Sequence, residues 1–148
     1  MASALEPQAV EMRVAKVLPA KFPADDPLDT VVLEEVGGTR HIAVVMRKAE
    51  ADHLVMYLQN IQVSRPMTYT FMADLLQALG GRMAEARITR VDGRTIHAAA
   101  VIESPQGVQT LDARPSDVMN LALRAGAPIR VEPAALAALQ LPDGSSSN

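Results

Sequence analysis

The hydrophobic and polar positions along the chain change period several times, and each change marks an element. Val10 to Leu18 alternates apolar and polar residues, the period-two pattern of a half-buried strand. "PAKFPADDPLD" interrupts it with three prolines and reads as a loop. "TVVLEEV" and "TRHIAVVM" are β-rich runs joined at Gly37-Gly38, which predicts a hairpin. The period then becomes helical. Ala51, Leu54, Val55 and Leu58 recur at i, i+3, i+4 and i+7 between Lys48 and Gln59, predicting one buried face. A second helix is predicted over Thr68 to Leu79, with Phe71, Met72, Leu75, Leu76 and Leu79 apolar. Gly80-Gly81 closes it, as a left-handed helix end requires.

"RMAEARITRVDGRTIHAAAVIES" predicts two strands around Asp92-Gly93, and "GVQTLDA" a third. Pro115 to Ala125 reads as a helix, Ile129 to Val131 as a short strand, and a last short helix follows from Pro133. The order β-β-β-α-α-β-β-β-α-β-α predicts an α+β fold. It is a single compact domain, a largely antiparallel or mixed sheet with helices packed against it. Residues 10–140 form that domain, between flexible tails at 1–9 and 141–148.

The helix from Pro115 carries the most information. Proline suits the first helical position because its missing N–H has no acceptor there anyway. Ser116 and Asp117 fall in the first turn, where a hydroxyl or carboxylate satisfies free amides and the helix dipole. Gly126 closes the helix and Pro128 keeps it from resuming. Val118, Leu121, Ala122 and Ala125 form a buried stripe, and Met119 and Leu123 cover another side, so the helix is buried nearly all round. Asp117, Asn120 and Arg124, at i, i+3 and i+7, make a polar strip that must be satisfied internally or face a cleft. Local structure leaves Asp112 and Arg114, at the strand-to-helix junction, as a charge pair without a purpose; a buried ion network that fixes the loop is one reading.

Composition narrows the class. The 148 residues are 49% hydrophobic and 21% charged, with aromatics at only 3% and no Trp or Cys. The core must therefore come from aliphatic residues and Met, and disulfides, thiol nucleophiles and Cys-ligated metals are excluded. No apolar run reaches the roughly 18 residues of a membrane span, and "MASALEPQAVEMR" lacks a signal-peptide pattern. Those features favour a cytoplasmic protein with no membrane partner. The net charge of −3 argues against a chain that coats nucleic acid. Arg82, Arg87, Arg90 and Arg94 offer a local phosphate-binding patch, or a solvated strand face.

Candidate chemistry is sparse. Glu50 and His53 make an E-x-x-H pair with Tyr57 one turn beyond, a spacing that can hold a metal but supplies too few ligands, so a solvated helix face is expected. His41 and His97 sit among apolar neighbours and read as core-edge residues. No Ser-His-Asp arrangement, P-loop, GxGxxG or HExxH occurs.

"LDARPSDVMNLALRAGAPI" resembles the signature of the bifunctional nuclease domain family, in which Asp-x-Arg-Pro-Ser-Asp opens a helix ending before Gly-Ala-Pro-Ile. "MRKAEADHL" resembles that family's Glu-Ala helix start and places its glutamate on Glu50. "RPMTYTFMADLLQALGG" resembles its Arg-Pro-x-Thr helix start, on Arg65, Pro66 and Thr68. Order and spacing agree from about Val10 to Leu139. The chain departs from the pattern where the family carries His-Asp, since Tyr69 and Thr70 stand there. The glycine usual before Glu-Ala is also absent from "VVMRKAEA".

The resemblance implies a nuclease that hydrolyses phosphodiester bonds of RNA and DNA. Such chemistry uses carboxylate-held Mg²⁺ or Mn²⁺ and cations that stabilise the charged transition state. On the matched positions, Glu50, Asp112 and Asp117 are then the catalytic carboxylates and metal ligands. Arg65 and Arg114 bind phosphate, each planar guanidinium taking two oxygens, and Thr68 and Ser116 support them. The competing reading is a non-catalytic binding or assembly module in which the same charges only hold helix starts. A homo-oligomer, a dimer first, is expected because the hairpin-rich order leaves sheet edges to cover. The two Arg-Pro dipeptides are expected to bring Arg65 and Arg114 to one anion pocket at converging helix starts.

Overall fold

The structure, a computed structural model, describes residues 8–21 and 27–142. The predicted tail positions 1–7 and 143–148, and residues 22–26 of the proline-rich loop, lie outside the described residues. The elements follow the predicted order: β1 (Val10–Leu18), β2 (Leu28–Glu35), β3 (His41–Arg47), α1 (Lys48–Leu58), α2 (Thr68–Ala78) and β4 (Arg82–Asp92) come first. After them come β5 (Thr95–Ser104), β6 (Gly107–Ala113), α3 (Pro115–Ala125), β7 (Ile129–Val131) and α4 (Pro133–Leu139).

Local chemistry explains the hairpins. Gly37, at φ +77°, supplies the left-handed residue of the β2–β3 turn, and Glu34 faces His41 in the ladder above it. Arg40 clamps that turn by donating from Nε and NH2 to the two Glu35 carboxylate oxygens, at 2.9 and 2.8 Å. The bidentate pair holds the Glu35 carboxyl down at about 2. Gly93 plays the same backbone role between β4 and β5, where Asp92 faces Thr95.

The seven strands form one mixed sheet in the order β3-β2-β1-β7-β4-β5-β6. Its assembly depends on the shortest strand. β7 pairs antiparallel with β1, Val10 facing Val131, and parallel with β4, Ala86 facing Ile129. The last strand therefore joins the first three to the next three, and Ile129 and Val131 are both buried at the seam. α3 packs against α1 and α2 and also touches β3, β4 and β5. Since β3 is one edge and β5 lies next to the other, the sheet curls around α3. The core unites Met12, Leu33, Ile42 and Val44 of the sheet with Leu54 of α1, Met119 of α3 and Leu136 of α4.

The helix faces depart in part from the simple periodic reading. Ala51 and Leu54 of α1 are buried, but Leu58 is exposed in the last turn. Ala125 at the end of α3 is exposed too, while Ser116, Val118, Met119, Asn120, Leu121 and Ala122 are buried. α2 buries only Tyr69, and its Phe71, Met72, Leu75 and Leu79 remain exposed. The reason is position: α2 overhangs a groove between itself and β6, and no described element covers it. No described helix is long and apolar enough to cross a membrane.

Met119→Ala empties the space where α3 meets the sheet, because Met119 is fully buried. We expect a loss of about 2–5 kcal/mol in denaturant unfolding with an unchanged m-value. A loss under about 1 kcal/mol would show that the core closes over the gap.

Candidate functional site at the start of α3

Three helices meet where α3 begins. The backbone turns from β6 into α3 at Arg114, an extended N-cap residue, and Pro115 takes the first helical position. No side chain caps this helix start. The Asp117 carboxylate, expected to serve the free amides, is instead committed to other side chains. Arg114 donates from Nε to Asp117 Oδ2 and from NH2 to Asp117 Oδ1, both at 2.8 Å. The Tyr69 hydroxyl donates to Asp117 Oδ1 at 2.9 Å. Tyr69 thus fills, with a phenol, the place where the family pattern has histidine, and it reaches from α2 to α3.

Glu50, in the first turn of α1, completes the cluster. Its Oε1 lies 3.5 Å from the Arg114 guanidinium. Its Oε2 is buried and has no hydrogen-bond partner among the described residues. A buried carboxylate oxygen without a donor is costly and calls for an explanation. Below it, Asn120 donates to the Glu50 carbonyl at 3.1 Å and to the Ser116 carbonyl at 2.9 Å. Arg124 donates to the His53 carbonyl at 2.9 Å, and its guanidinium lies 5.3 Å from the Tyr57 ring centre and 5.6 Å from that of Tyr69. The polar strip of α3 is therefore satisfied internally along its whole length.

Electrostatics follow the contacts. Arg114 hydrogen bonds, helped by the Tyr69 hydroxyl, hold the Asp117 carboxyl below its ordinary value against the opposing effect of burial. Asp117 in return raises the Arg114 value. Burial first, and then the bond to Asp117, push the Tyr69 phenol well above its usual range, so it stays a proton donor. Burial pulls Arg124 down from its ordinary value.

The other sequence candidates stand outside this cluster. Asp112 is exposed on β6, facing Ala99 in the ladder, and makes no hydrogen bond or ion pair among the described residues. It does line the groove beside α2, as Asp117 does. Arg65 is exposed in the loop before α2, three positions ahead of Thr68, and also forms no ion pair among the described residues. Thr68 is exposed at the start of α2 and Ser116 is buried. Among the described residues no three His, Cys, Asp or Glu side chains gather to hold a metal. Glu50 and Asp117 both lie against the Arg114 guanidinium.

Some expectations change. His53 is half-buried with its ring edge-on to Tyr69 at 5.3 Å, rather than on a solvated face. His41 and His97 are half-buried, as core-edge residues should be. Arg82 pairs with Glu103, and Arg87 with Glu85 and Glu132, which favours the solvated-face reading of the Arg run. Tyr69 and Arg124 leave only faint traces in the sequence: Arg124 in its spacing from Asp117 and Asn120, and Tyr69 in its departure from the histidine of the family pattern.

Comparison with known proteins finds a family and several relatives. The model of the bifunctional nuclease domain matches residues 31–143. An uncharacterized protein of Mycobacterium tuberculosis is 34% identical over 137 residues, covering 91% of this chain and 80% of the relative. Bifunctional nuclease 1 of Oryza sativa is 27% identical over 109 residues, and Bifunctional nuclease 2 of Arabidopsis thaliana 28% over 113. Each plant alignment covers 71% of this chain but 33% of the plant protein.

A carboxyl whose folded pKa is lowered adds stability above its unfolded value and loses it as pH falls through the folded one. Asp117 is such a group. Asp117→Ala should cost about 1–3 kcal/mol at neutral pH, since it also leaves the Tyr69 hydroxyl and Arg114 without their acceptor. That deficit should shrink below about pH 4. Denaturant titrations at neutral and acid pH check this, and equal deficits at both would contradict it.

Proposed function

The chain belongs to the bifunctional nuclease domain family, and on that premise we propose that the junction of α1, α2 and α3 hydrolyses phosphodiester bonds of RNA and DNA. The observation that carries the reading is the buried, unpartnered Glu50 Oε2 beside an Arg–Asp pair. A site that keeps a bare carboxylate oxygen at its own cost is ready for a cation.

Glu50 and Asp117 are hard oxygen donors and suit Mg²⁺ or Mn²⁺, which take one or two carboxylates and keep waters for the remaining positions. Bound there, the metal would supply a Lewis acid and a water of lowered pKa. Arg114 has a side chain 57% exposed, so it can leave Asp117 for a phosphate oxygen without crossing a packed core. That exchange frees an Asp117 oxygen and delivers a positive charge to the transition state. Tyr69 keeps its proton and holds Asp117 in place. Asp112 is the proposed third carboxylate and Arg65 the proposed second phosphate-binding cation, with Thr68 and Ser116 in support.

A second reading, a non-catalytic binding module, is favoured by the saturation of Asp117 and by Tyr69 and Thr70 in the His-Asp positions. We further propose a cytoplasmic setting and a homo-oligomeric working form, a dimer, because one end of the sheet is an uncovered strand.

The test is cleavage of short RNA and DNA by protein freed of host nucleases, with Mg²⁺, with Mn²⁺ and with chelator. We expect metal-dependent cleavage that drops about 100-fold or more in Glu50→Gln and in Arg114→Ala. Cleavage undiminished by chelator, or equal in the wild type and both variants, would contradict the proposal.

A further inference from the structure

The two edges of the sheet are treated differently. At β3 the chain covers part of its own edge: Ile42 bridges to Gln140, and the Leu141 amide donates to the His41 carbonyl at 2.8 Å. At β6 it does not. β6 pairs with β5 on one side, and no backbone hydrogen bond reaches its other side among the described residues. Its sequence, GVQTLDA, has none of the Lys, Arg or Pro with which single-chain proteins block an open edge.

Beside that edge lies a groove of about 760 Å³ between α2, β5, β6 and α3. Met72, Leu75 and Leu79 of α2 form one wall and Leu111 of β6 faces them. Leu79 is 74% exposed, Leu111 51% and Leu75 48%. With Met72, these side chains leave roughly 300–400 Å² of apolar surface in water, at about 150–200 Å² per large side chain. A contiguous patch of that size on a single chain is often functional.

Charge decides between occupants. The groove is lined by two charged residues, Asp112 and Asp117, and by no Lys or Arg. Without a bound cation such a surface repels a phosphate backbone. It suits an uncharged, apolar surface that also carries a free strand, and β6 with α2 is one.

We propose that this face joins two copies of the chain, β6 pairing antiparallel with β6 of the second copy across a two-fold axis. This rests on the dimer proposed above and assigns it a face. A two-fold axis perpendicular to the sheet keeps both helix layers on the same side. The one operation thus pairs the open strands and brings the two exposed α2 faces together over the seam. With the axis at Thr110, Asp112 faces Val108 of the other copy, so no like charges oppose each other. The apolar patch and the open strand edge are the surface that this pairing would bury, against the roughly 800 Å² per partner of a stable interface.

Sedimentation over micromolar to sub-millimolar concentrations tests the proposal. The wild type should be a dimer, Leu79→Lys should weaken association about tenfold or more, and Leu79→Glu with Leu111→Glu should give a folded monomer by circular dichroism. Val45→Glu, on the exposed face of the opposite edge strand, should remain dimeric. A wild-type monomer throughout would overturn the dimer itself and leave the groove to some other apolar partner. A dimer that ignores the α2 and β6 substitutions, or that dissociates with Val45→Glu, would overturn the face. None of these results depends on nuclease activity.

Discussion

A helix buried on nearly every side can keep polar residues only if its neighbours supply partners, and α3 is held by that requirement. Asn120 is fully buried and ties the α3 backbone to the start of α1. Arg124 does the same one turn later through the His53 carbonyl. Asp117, at the other end of the strip, reaches α2 through Tyr69. These bonds fix the relative positions of three helices that apolar packing alone would leave free to slide. The curl of the sheet then follows from the need to cover α3 from β3 to β5.

The same bonds set the chemistry. Arg114 and Asp117 neutralise each other, so the resting site presents no net invitation to nucleic acid, in keeping with an acidic chain. Glu50 is the exception: its backbone carbonyl is used by Asn120, one carboxylate oxygen looks toward Arg114, and the other accepts no hydrogen bond among the described residues. A purely structural network would have been more stable with that oxygen satisfied. The proposed cation would give that oxygen the partner it lacks among the described residues.

Much of the fold was legible because its turns carry explicit chemistry. Gly37, Gly93 and Gly126 all take the left-handed conformation that their places in the pattern require. Pro115 marked the start of α3 to the residue. Periodicity located α2 but misjudged the end of α1, since an apolar stripe reports only a preference for burial and cannot say whether another element is there to provide it. The seven-strand order was beyond reach for a related reason: β7 has three residues, and nothing local states that it inserts between β1 and β4. At the site, the motif led to Glu50, Arg114 and Asp117, which the fold brings together. The part played by Tyr69 was hidden, because a phenol in place of an imidazole looks like a loss until its hydroxyl is seen on Asp117.

The central claim is that the bare oxygen of Glu50 draws a divalent cation to the start of α3. Paramagnetic line broadening by Mn²⁺ in an NMR spectrum of the whole chain, with a short oligonucleotide present, tests it most directly. The account predicts that broadening centres on the amides around Glu50 and Asp117 and disappears in Glu50→Gln. Broadening centred elsewhere, or unchanged in that variant, would contradict it.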